Sequence, residues 1–89
     1  MELRIEQRSV WNLSPKTAAG ASLTLEPAEV VKLTPRPGGF HVLSGIAWVS
    51  WRGEDIILYP GETIRFTAGG GSPVVSAARQ LRLTIELLD

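Results

Sequence analysis

The sequence predicts an all-β chain folded as one small antiparallel β-barrel, and three observations carry that prediction. Apolar residues recur at every second position in short windows, those windows are separated by Gly or Pro, and no window of helical period stands out. With 89 residues, 44% of them hydrophobic and 20% charged, the chain has the composition of one ordinary globular domain. Every site must therefore share a single core.

Taken in order, residues 1–20 form an extension. Its opening MELRIEQ is expected either to add a strand pinned by Trp11 or to remain a loose arm, and SPKTAAGAS, 14–22, is the boundary to a barrel domain over 21–89. In GIAWVSW, 45–51, Ile46 and Trp48 alternate with Ala47, Val49 and Trp51. Both faces then carry large apolar groups, which predicts a strand buried on two sides or lying at an interface. Arg52-Gly53-Glu54-Asp55 supplies a tight turn, so 45–51 pairs with 54–59. Tyr59-Pro60-Gly61-Glu62 is a second turn, with proline presetting φ and glycine tolerating the left-handed position after it. The strand ETIRFT leaves that turn with Ile64 and Phe66 inward and Arg65 outward. From Gln80, the segment QLRLTIELL puts Leu81, Leu83, Ile85 and Leu87 on one side, the clearest strand in the chain and an anchor for the core.

Sliding the chain along itself by 33 residues, Pro27 onto Pro60, overlays Leu23, Leu25, Pro27, Glu29, Val31, Lys32, Leu33 and Thr34 on Ile56, Leu58, Pro60, Glu62, Ile64, Arg65, Phe66 and Thr67. Both stretches read strand, Pro-x-Glu turn, strand. This is either a duplicated hairpin unit or turn chemistry that any antiparallel barrel reuses.

Nine Lys plus Arg balance nine Asp plus Glu with no dense basic window, so nucleic acid is not an expected partner. No stretch approaches the ~20 apolar residues of a membrane span. The absence of cysteine removes disulfides and thiol catalysis, and MELRIEQRSV has no continuous apolar segment of a secretory leader. A cytoplasmic protein is expected, and the sequon Asn12-Leu13-Ser14 reads as chance. A chain this short buries a modest core, which makes a homodimer a natural way to cover leftover apolar area.

The run VLSGIAWVSWRGEDIILYPGETIRF, through Val42, Leu43, Gly45, Gly53, Leu58, Pro60, Gly61 and Glu62, resembles the central part of the cupin superfamily. Leu43-Ser44-Gly45-Ile46-Ala47-Trp48-Val49 is also similar to the Leu-x-Gly-x-x-Trp-Val strand of small bacterial cupin-like proteins of uncharacterised function. The resemblance covers residues 21 to 88 and implies a jelly-roll type barrel. It also implies a metal centre of two closely spaced histidines, a glutamate and a third histidine. Those ligands should fall near Leu33 to Arg36, Pro37 to Gly39 and Gly71 to Val74, where no ligand-type residue stands. With His41 the one histidine in the chain, neither a metal nor another cofactor is expected.

The remaining candidates are few. His41, Trp48, Tyr59 and Arg65 are expected to face a ligand, and Trp51 to face a second copy, because Trp48 and Trp51 leave one strand on opposite sides. Each has a plainer alternative: a structural histidine, tryptophans that simply pack, arginines such as Arg65 and Arg82 in solvent. Glu54, Asp55 and Glu62 form the densest acidic group, at a barrel rim. No serine sits in a nucleophile elbow to join His41 in a triad, and Thr67-Ala68-Gly69-Gly70-Gly71-Ser72 lacks the Lys-Ser/Thr ending of a phosphate loop. The expected function is a non-enzymatic module that binds a small molecule or a protein. The alternative is a metal-independent isomerase or epimerase acting on a small polar substrate through His41 and Tyr59.

Overall fold

The computed structural model describes residues 9–12, 20–33, 38–67 and 69–88. The expected strand over MELRIEQ, the Trp11 side chain and positions 34–37 of the metal-ligand comparison lie outside those residues. The described residues form nine strands and no helix, so none is long and apolar enough to cross a membrane. The strands are β1 (Ser9–Asn12), β2 (Ser22–Leu25), β3 (Glu29–Lys32), β4 (Gly38–Ser44), β5 (Ala47–Trp51), β6 (Glu54–Leu58), β7 (Thr63–Phe66), β8 (Val74–Ala77) and β9 (Leu83–Leu88).

They make two sheets, ordered β1-β3-β8-β5-β6 and β2-β9-β4-β7. Neighbours run antiparallel except β1, which lies parallel to β3. The expectation of one closed barrel is corrected here: among the described residues, two separate ladders face each other. The reason lies at the Pro-x-Glu turns. β2 belongs to one sheet and β3 to the other, and the same holds for β6 and β7. Each turn thus folds the chain over the core instead of continuing a ladder.

The two turns are built alike. The Glu29 amide donates to the Glu26 carbonyl at 2.9 Å while its carboxylate Oε1 accepts the Glu26 N–H at 2.8 Å. The Glu62 amide donates to the Tyr59 carbonyl at 3.0 Å and its Oε1 accepts the Tyr59 N–H at 2.8 Å. A glutamate three residues on closes the turn from both ends, which is why the pattern wants Glu there. Exchanging β2 with β6, β3 with β7, β4 with β8 and β5 with β9 turns the order β3-β8-β5-β6 into β7-β4-β9-β2, the other sheet read backwards. The 33-residue overlay therefore marks a unit that recurs in three dimensions, with β1 added outside it.

Inward residues of both sheets meet in one core. Val31, Ala47, Val49, Leu58 and Val75 face Leu25, Phe40, Val42, Phe66, Leu83, Ile85 and Leu87, all at 8% exposure or less. Each fully covered side chain of this size contributes at most about 1.5–3 kcal/mol. β9 supplies Leu83, Ile85 and Leu87 as its alternation requires, but Leu81 is 48% exposed, a correction to its expected place. Arg79 and Gln80 both take φ of 58°, and the Leu81 amide closes a turn on the Ala78 carbonyl at 3.2 Å, so the strand starts only at Leu83. Between β5 and β6 the hairpin loop is Arg52-Gly53, with φ of 56° and 77°, the paired left-handed values of a two-residue turn.

Candidate functional site

The side chains buried between the sheets are aliphatic or phenylalanine, and no polar or charged residue is buried among the described residues. Among the described residues the inner faces offer a ligand one buried unpartnered polar group, the Trp51 indole N–H. Candidate sites must be sought on the outer faces.

On the outer face of β2-β9-β4-β7, the registers align Ser22, Glu86, His41 and Thr63 in one row across four strands. His41 is half-buried there, between the inward Phe40 and Val42, and its Nδ1 lies 2.8 Å from Thr63 Oγ1. One row away, Thr24 and Thr84 join hydroxyls at 3.2 Å. Arg65 stands exposed opposite Gly39, where a Cβ would strike the Ile64 carbonyl. The structure thus brings His41 and Arg65 onto one polar face. Tyr59 is elsewhere, half-exposed at the head of its turn.

The two tryptophans divide as alternation requires. Trp51 turns inward: its ring meets Phe66 edge-on at 4.9 Å, Phe66 in turn leans on Phe40 at 6.0 Å, and the Arg52 guanidinium lies 5.0 Å from the indole centroid. The glycine loop closes over it, since a Cβ on Gly70 would enter the indole. Trp51, expected to face a second copy, packs partly buried against the core. Trp48 points the other way and is 46% exposed. The acidic group is also split, with Glu54 and Asp55 at the β5–β6 hairpin and Glu62 engaged by the Tyr59 amide.

Trp48 borders a shallow groove of about 220 Å³ on the outer face of β3-β8-β5-β6, lined by Val30, Trp48, Ser50, Asp55, Val74 and Ser76. One row runs Val30, Ser76, Trp48, Ile57 and the next Lys32, Val74, Ser50, Asp55. Ser50 Oγ donates to Asp55 Oδ1 at 3.4 Å. Val30, Val74 and Ser76 do not figure in the sequence reading, although a signal for them exists. The doubled valines Val30-Val31 and Val74-Val75 give their strands apolar groups on both faces, as Trp48 and Val49 do for β5.

The resemblance to cupins asks whether the residues present suit a metal. They do not: among the described residues no three of His, Asp and Glu converge, and His41 faces a threonine hydroxyl on the outside of a sheet.

No protein-family profile matches the chain, and no curated protein matches it in sequence. Among solved structures it is similar to a conserved protein of unknown function from Streptococcus pyogenes, with a TM-score of 0.53 and 20% identity over 79% of this chain. The match spans 54% of that protein, so this chain corresponds to about half its length. At that identity the likeness shows a shared fold only.

Proposed function

We propose that this chain is a cupin-like jelly roll without a metal centre, a cytoplasmic module that acts by binding rather than by catalysis. The observation that carries this reading is the exchange of inside for outside. The buried side chains of the interior are Leu, Ile, Val, Ala and Phe, while Trp48 and Ile57 stand 46% and 43% exposed beside a groove on the outer face. The strand order supports the jelly-roll assignment, being two four-stranded sheets exchanged by the internal repeat, with β1 as an extra edge strand. The isomerase alternative has less to stand on. His41 bonds Thr63 on a sheet face and Tyr59 stands at a turn, and no hydrogen bond joins the two among the described residues.

Two measurements test the reading. Amide chemical shifts recorded against a panel of small aromatic and polar fragments should move together at Val30, Trp48, Ser50, Asp55, Val74 and Ser76. Shifts centred on Leu83 and Ile85, or at His41 with turnover of the fragment, overturn it. Elemental analysis of protein purified without chelator should find no stoichiometric metal, and near-equimolar iron, zinc or manganese rejects the metal-free assignment.

A further inference from the structure

We propose that the outer face of β3-β8-β5-β6 seats a second copy of this chain, related by a two-fold axis that runs along the strands between β8 and β5. The proposal rests on the reading of this face as the binding surface and names its occupant.

An isologous contact must be complementary to itself, because each residue on one side of the axis meets the residue at the mirrored position on the partner. Facing copies about the proposed axis exchange β3 with β6 and β8 with β5. In the first row, Lys32, Val74, Ser50 and Asp55 then oppose Asp55, Ser50, Val74 and Lys32 of the other copy. In the second row, Val30 opposes Ile57, and Ser76 opposes Trp48.

The Lys32–Asp55 and Trp48–Ser76 pairings are complementary, whereas Val74 against Ser50 sets an apolar group on a polar one. Lys32 and Asp55 are both exposed and of opposite charge. With neighbouring strands about 4.8 Å apart, three steps hold them ~14 Å apart within one chain, too far to pair with each other. Ile57, 43% exposed, comes over Val30, which is already 6% exposed within its own chain and adds little apolar area. The large exposed indole of Trp48 meets the small Ser76 of the partner, which with Val30 and Val74 lines the groove. Charge at Lys32–Asp55 and side-chain size at Trp48–Ser76 agree on one axis.

The test is a charge exchange read by sedimentation at low ionic strength, where exposed charges act most strongly. The wild-type chain should self-associate as a dimer. K32E and D55K should each weaken the dimer about tenfold, since each sets two like-charged pairs against each other. K32E/D55K should recover it, and an equimolar mixture of the two single variants should form a heterodimer. Trp48→Ala should dissociate the dimer while its far-ultraviolet dichroism stays that of the wild type. A wild-type chain that remains monomeric, a dimer indifferent to K32E and D55K, or a double variant as weak as the singles each overturns the proposal. If the chain is monomeric yet fragments still shift the groove residues, this proposal falls and the binding-module reading survives. If it dimerises but fragments shift only the interior, the reverse holds.

Discussion

The indole of Trp51 stands edge-on to the ring of Phe66, centroids 4.9 Å apart and planes at 76°. Aromatic pairs in this geometry add about 0.5–1.5 kcal/mol to the area they bury. Here the pair also ties the end of β5 in one sheet to β7 in the other, beneath the glycine loop.

Trp51→Ala should therefore cost about 2–4 kcal/mol, because it leaves a cavity beside Phe66 that the sheets only partly close. Urea denaturation measures this. Trp51→Phe should cost about 1 kcal/mol, since it keeps a ring against Phe66 and removes an indole N–H that is buried without a hydrogen-bond partner among the described residues. Equal losses from the two substitutions would contradict the packing assigned to this ring.

Glu29 and Glu62 close their turns by the same carboxylate-to-amide bond. Replacing either with Ala should lower stability by about 1 kcal/mol, and because the turns share no partner the double variant should lose the sum. Thermal unfolding of the two single variants and the double variant is sufficient. A double variant no worse than the singles would show that the repeated turns do not contribute independently.

Gly39 and Gly45 each lie against the backbone of a neighbouring strand: a Cβ would strike the carbonyl of Ile64 in one case and of Arg82 in the other. Gly45 also has φ of 83°. Gly39→Ala should destabilise by about 1–3 kcal/mol through overpacking, and Gly45→Ala by more, since left-handed backbone strain is added. Gly53→Ala, in a turn with open space around it, should cost less than either. Denaturation midpoints that rank the three otherwise would refute this ordering.

Arg82 and Glu26 form an ion pair at 3.0 Å with side chains 66% and 53% exposed. Solvent screens such a pair, so Arg82→Ala should change stability by no more than about 0.5 kcal/mol at physiological salt. A loss several times larger, seen in the same denaturation assay, would mean that the bridge holds β9 to the first Pro-x-Glu turn in a way its exposure does not suggest.

Much of this architecture is legible in local sequence because local rules set it. The hairpin joining β5 to β6 follows from Arg52-Gly53, the turns at Pro27 and Pro60 from proline and a glutamate three residues from the turn's start, and the inward side of β9 from Leu83, Ile85 and Leu87. The repeat between residues 23–34 and 56–67 is visible as a pattern, but its meaning is not. That it exchanges two sheets depends on pairings between strands far apart in the chain. Leu81 departs from its pattern because a turn at Arg79 and Gln80 takes over, and neither residue announces a left-handed backbone.

The sequence by itself determined an all-β chain and the alternation that sends Trp48 and Trp51 to opposite sides. Only the tertiary structure decided which of those sides is the inside. Alternation fixes that two side chains diverge, but a face becomes interior only when another sheet covers it. That covering is made by Leu25, Phe40, Phe66 and Ile85 from across the fold, and it buries the Trp51 side of β5 and leaves the Trp48 side open.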